Sequence, residues 1–138
     1  MATPIFVDTG AIIAIKLRGD PHHHQAVEFM RNLGRRPRYT SSLVLSEAYT
    51  WLRYHCGLAT AATLAEEMME GELSGLYKMV RPGRREEEEA LRIGRKFADV
   101  KLSWTDAMTF VLVDAAGIKE IVGFDAHLRL SGCLLVPG

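Results

Sequence analysis

The chain has only two cysteines in 138 residues, Cys56 and Cys133. They stand far apart with no C-x-x-C spacing, which argues against a disulfide framework or a thiolate zinc site; buried, reduced thiols are expected. Net charge is also lacking. Seventeen basic residues balance 17 acidic ones, so no uniformly positive surface can hold nucleic acid by bulk attraction and any phosphate contact must be local. No stretch approaches the ~18 apolar residues of a membrane span. The opening Met1-Ala2-Thr3-Pro4 lacks the basic start and apolar core of a secretory signal, so a cytoplasmic protein without membrane contact is expected. Repeats, linkers and low-complexity tracts are missing too. Residues 1–138 therefore read as a single domain, long enough for one core and too short for a second catalytic unit.

What is present alternates. Ile5-Phe6-Val7 is a short β-prone run, followed by Asp8-Thr9-Gly10 and a helix over Ala11 to Lys16. A helix is expected over His22 to Leu33, a short strand over Arg38 to Ser41, and a long helix over Ser42 to Cys56 closed by Gly57. Leu64, Met68 and Met69 give Ala59 to Leu73 helical spacing, and Leu76 to Val80 reads as a strand. Arg84 to Phe97 is amphipathic through Leu91, Ile93 and Phe97. Trp104 to Ala116 is a nearly all-apolar helix, then come a strand over Glu120 to Phe124, a short helix over Asp125 to Leu130 and a strand over Cys133 to Val136. This order predicts an α/β fold: three layers, α/β/α, around a mainly parallel sheet of about five strands. Ligands in such folds sit beyond the carboxyl ends of the strands.

Four acids fall where such a site would form, and each has a plainer alternative. Asp8 follows the first strand, a position that suits both a helix N-cap and a catalytic group. Glu47 lies in mid-helix with Leu43, Val44 and Trp51 within one turn of it, off the solvated side; pairing with an arginine or a place at the edge of the apolar stripe is the plainer alternative. Ser103-Trp104-Thr105-Asp106 fits a capping box, yet the helix Asp106 begins is apolar on nearly every side and should be buried. Asp114 competes with it but stands toward the far end of that helix. Asp125 repeats the position of Asp8 after a later strand, again with an N-cap alternative. Carboxylates that converge repel one another unless protonated or bridged by a cation. Magnesium, which prefers oxygen ligands, or manganese is the natural bridge, and such an ion can activate water and polarise a phosphodiester.

These residues resemble a known family, the PIN-domain ribonucleases and among them the VapC toxins of toxin–antitoxin systems. Ile5-Phe6-Val7-Asp8-Thr9-Gly10-Ala11 is similar to the family's opening strand and Asp-Thr, and Ser46-Glu47 to its helix-borne glutamate. Leu102-Ser103-Trp104-Thr105-Asp106-Ala107 is similar to its Leu-Ser-x-x-Asp-Ala motif, and Phe124-Asp125-Ala126-His127-Leu128 to its last acidic motif. The resemblance spans essentially the whole chain. It implies a metal-dependent endoribonuclease with Asp8, Glu47, Asp106 and Asp125 on Mg²⁺ or Mn²⁺, supported by Thr9 and Ser103, with Asp99 as a further supporting acid. It also implies an RNA substrate, a cognate antitoxin and a homodimer. Gly10 and Gly123 depart from the family pattern, each removing a potential hydrogen bond near the metal.

The remaining features carry less. His22-His23-His24 are adjacent helical residues whose side chains diverge, so a polar first turn describes them better than a metal site. Arg31, Arg35, Arg36, Arg38, Arg81, Arg84 and Arg85 are the best local cations for a phosphate backbone, with plain solvated surface an equal alternative for most of them. Glu88 is placed to pair with Arg92. Tyr49, Trp51 and Tyr54 suit either core packing or a partner surface. A phosphatase of haloacid-dehalogenase type would need an acid at Gly10. A housekeeping RNA-processing nuclease is the alternative to a toxin, and a catalytically silent module that binds RNA or protein is the alternative from another class, although four acids near phosphate would hinder it.

Overall fold

Ile5, Phe6 and Val7 have no solvent exposure at all, because β1 (Ile5–Val7) is the middle strand of the sheet and is covered on both faces. A computed structural model describes residues 2–138. Met1, part of the N-terminal stretch read above for targeting, lies outside the described residues. After β1 the chain runs through α1 (Thr9–Lys16), α2 (His23–Arg31), β2 (Arg38–Ser41), α3 (Ser42–Cys56), α4 (Leu58–Leu73) and β3 (Tyr77–Val80). It continues through α5 (Arg84–Lys96), α6 (Trp104–Ala116), β4 (Glu120–Val122), a 3-10 turn of helix at Ala126–Ser131, and β5 (Leu134–Val136).

All strand pairs are parallel, in the order β3-β2-β1-β4-β5. The expected α/β/α architecture is thus observed. From β1 the chain first adds strands on one side and then returns to add β4 and β5 on the other. Right-handed crossovers then put α1 to α4 on one face and α5 and α6 on the opposite face, in keeping with the packing of α1 on α2 and α3, α3 on α4, and α5 on α6. The reversal of strand order falls between β1 and β4. In open parallel sheets the crevice at such a point, beyond the carboxyl ends, is where ligands sit.

Local chemistry explains most boundaries. Gly57, at φ +92°, breaks α3 from α4, and Gly117, at φ +67°, ends α6 in a left-handed cap. The helix expected to reach Leu33 stops at Arg31, because the chain is already turning toward Gly34 at φ +64°. β4 stops at Val122 rather than Phe124, whose ring leaves the sheet to stack on His22. Leu91 and Met69 were expected on buried stripes and are exposed; Ala90, Leu64 and Met68 are the residues that reach the core. Cys133 is buried and its Sγ donates to the Ile118 carbonyl, whereas Cys56, also expected inside, is exposed at the end of α3. No helix among the described residues is long and apolar enough to cross a membrane.

Candidate active site

Asp8 begins where β1 ends. Its backbone N–H donates to the Val122 carbonyl at 2.9 Å, which extends the β1–β4 ladder by one residue and fixes the side chain at the reversal point. It occupies the N-cap position of α1, yet its side chain makes no capping hydrogen bond. Its Oδ1 is buried with no partner, as is the Thr9 hydroxyl beside it. A buried polar atom left unpaired costs on the order of 1–3 kcal/mol, so the capping reading does not account for this residue. Burial, the nearby Asp106 carboxylate and, more weakly, Glu47 push the Asp8 carboxyl up to about 7, against the opposing pull of the Thr9 and Gly10 amides.

Asp106 enters from α6. Its N–H donates to Ser103 Oγ at 3.0 Å and its Oδ2 accepts from the Ser103 N–H at 3.4 Å, a complete capping box. Capping takes up only Oδ2. Partial burial raises the carboxyl's pKa, as do Asp125 and Glu47, while the hydrogen bonds from Ser103 hold it down. Asp125, after β4, accepts from the His127 N–H at 3.0 Å through Oδ1, and the His127 ring stands 3.6 Å away. Glu47, half-buried on α3, has no ion pair and no hydrogen bond among the described residues, so no arginine pairs with it and it stands at the edge of the apolar stripe. It lines a shallow groove with Leu43, Trp51, Tyr54, His55 and Thr105.

The four acids therefore arrive from four separate elements and sense one another's charge. Among the described residues no three His, Cys, Asp or Glu side chains stand close enough to grip one ion as they are placed. The donor set nonetheless fits a hard divalent cation: it is all oxygen, mutually repulsive, and includes the orphaned Asp8 Oδ1. Ser103 and Thr9 lie beside Asp106 and Asp8. Asp99 is on an exposed turn after α5 and does not act on the charges of Asp8 or Asp106, and Asp114 is exposed on the last turn of α6.

Several expectations about the surroundings are corrected. Arg35, Arg36 and Arg38 precede or begin β2, so in a parallel sheet they lie at the amino edge, opposite the acids. Arg36 is held by Glu120 at 2.5 Å, and Arg81, though on the acids' side, is taken by Glu72 through two hydrogen bonds. Arg92 pairs with Glu89, not Glu88, which faces Arg84. His22 does more than fill a polar turn: its ring stacks on Phe124 at 4.1 Å and 5°, bracing the loop that carries Asp125. Nothing in the local text signals that contact. Gly123 is explained by packing, since a Cβ there would stand 2.9 Å from Leu128 Cδ1 and 3.3 Å from the Asp8 Cβ. At Gly10 a Cβ would meet nothing within 4 Å, and no steric reason for that glycine is visible.

The PIN domain profile matches residues 5–130. Among solved structures, Mycobacterium tuberculosis VapC20, a sarcin-ricin loop cleaving toxin, superposes with a TM-score of 0.87 at 26% identity, over 96% of this chain and 98% of its own. PAE2754 from Pyrobaculum aerophilum matches with a TM-score of 0.64 and 18% identity over 99% of this chain and 91% of its own. A chain of FitAB, solved bound to an IR36 DNA fragment, gives 0.67 and 15% over 95% and 92%. These last two share the fold. A search of curated proteins finds no significant match.

Proposed function

The chain belongs to the PIN-domain family, and from that premise we propose that it is a divalent-metal-dependent endoribonuclease acting as the toxin of a type II toxin–antitoxin pair. The observation that carries the reading is the buried, unpartnered Oδ1 of Asp8 at the strand-order reversal, facing the charge of Asp106 and Glu47. Likeness to VapC20, a sarcin-ricin loop cleaving toxin, supports a nucleic-acid loop as the kind of substrate and, with the family, RNA. Asp8, Glu47, Asp106 and Asp125 would hold Mg²⁺ or Mn²⁺, which when bound polarises a phosphodiester and lowers the pKa of its water. Asp8 is the anchor, pinned by Val122 and closed in by Gly123. Ser103 orients Asp106 through the capping box and leaves its second oxygen free, while the His127 N–H orients Asp125. Thr9 contributes a buried hydroxyl with no other partner.

The partners follow from the surface. A groove of about 390 Å³ between α1 and α4, lined by Ile12, Ile15, Leu64, Met68, Leu76 and Tyr77 and edged by the Lys16–Glu67 ion pair, suits an amphipathic segment of an antitoxin. It continues past Ile15 and Leu76 to Met30, Arg31 and Arg38, which favour acidic residues in that segment. Leu58, Met69 and Leu73 share one exposed side of α4 and support a homodimer. A cytoplasmic setting and one domain over residues 1–138 belong to the same reading.

The test is cleavage of a mixed single-stranded RNA pool by antitoxin-free protein in EDTA, Mg²⁺ or Mn²⁺. Metal-dependent cutting abolished by Asp106→Asn supports the reading; cutting that survives either EDTA or Asp106→Asn overturns it.

A further inference from the structure

The groove beside Glu47 has a composition the acids do not explain. Glu47, Trp51 and His55 stand at successive i, i+4 positions of α3, one row with a spacing of about 6 Å along the helix axis. The Trp51 and His55 rings are parallel within 12° at a centroid distance of 4.0 Å, and His55 Nδ1 lies 2.8 Å from the Trp51 carbonyl, which holds the pair in place. Tyr54, beside them, is 83% exposed, and Trp51 is 37% exposed. Adjacent exposed aromatics form a patch of the kind that marks a binding surface.

Charge selects the partner. Glu47, one of the four acids, lines the groove together with Thr105, the residue before Asp106 on α6, so the groove adjoins the candidate site. A phosphate lying along it would meet Glu47 with no arginine or lysine on the lining to offset the repulsion. A nucleobase is neutral and presents a π-face, and base-on-aromatic stacking tolerates any sequence.

Resting on the nuclease reading, we propose that Trp51, His55 and Tyr54 form a stacking subsite for an unpaired RNA base next to the bond to be cut. Its chemistry favours single-stranded or looped RNA, because a base inside a duplex has no free face to offer. Trp51 is the principal platform and Tyr54 closes the groove's outer end.

The chain's two tryptophans, Trp51 and Trp104, allow a direct optical test. In a Trp104→Phe background all tryptophan emission comes from Trp51. With EDTA present to prevent cutting, a mixed-sequence single-stranded RNA should quench that emission, and its duplex form should not. In the wild-type background, anisotropy with labelled single-stranded RNA should show roughly tenfold weaker binding for Trp51→Ala, with Trp51→Phe retaining most of the affinity. RNA that binds Trp51→Ala as tightly as wild type and leaves Trp51 unquenched overturns the subsite while the nuclease reading stands. If Trp51→Ala instead disrupts self-association in sedimentation with RNA affinity unchanged, the face is a protein interface and the proposal fails. Wild-type protein that neither binds nor cuts RNA removes the nuclease reading itself.

Discussion

The two edges of the sheet handle charge in opposite ways. At the amino edge Arg36 reaches Glu120 and also donates to the Thr3 carbonyl, so a half-buried cation and anion satisfy each other and tie the N-terminal lead to β4. At the carboxyl edge four acids gather, Asp8 is buried among them, and no basic side chain is paired with it. The same chain that pairs its charges at one edge leaves them opposed at the other. Uncompensated burial of this kind is costly, and it persists where a ligand relieves it.

The comparison is broken most forcefully at Asp8. Its carboxyl is raised to about 7, above its ordinary 3.8, so between those values the folded protein binds a proton that the unfolded chain has released. Metal-free stability from this group is therefore full in acid and lost as pH rises through about 7, an effect of at most about 4 kcal/mol. Asp8→Asn should flatten that dependence and raise the metal-free Tm at pH 8 by as much as roughly 10–15 °C, while abolishing cleavage. Thermal melts in EDTA at acidic and basic pH check this; a lower Tm for Asp8→Asn at pH 8 would mean that Asp8 is structurally satisfied.

At the other edge the sign reverses. Arg36→Ala leaves Glu120 half-buried and frees the lead at Thr3, so it should destabilise by about 1–2 kcal/mol in chemical denaturation. RNA cleavage by the folded variant should be unchanged, because the residue lies across the sheet from the acids. Loss of cleavage there would erase the division between the two edges.

How much was legible in the sequence depends on the range of the forces involved. The α/β order and the parallel sheet could be read because apolar periodicity is local, and the motif texts that single out the four acids resemble a family whose profile the chain matches. At Asp106 the capping box is observed, and because it takes up one oxygen the other stays available to the proposed metal. The arginines were misjudged because only strand direction tells which edge a residue occupies. The Trp51–His55 pair spans one helical turn and was in principle readable; the His22–Phe124 stack joins residues about a hundred positions apart and was not.

The most direct measurement is Mn²⁺ binding followed by electron paramagnetic resonance at pH 8, for wild type and Asp8→Asn. The account predicts saturable Mn²⁺ binding by the wild type that Asp8→Asn loses, alongside a metal-induced rise in Tm only in the wild type. Equal Mn²⁺ binding by both proteins would contradict it, because the buried carboxylate at the strand-order reversal would then not be what holds the ion.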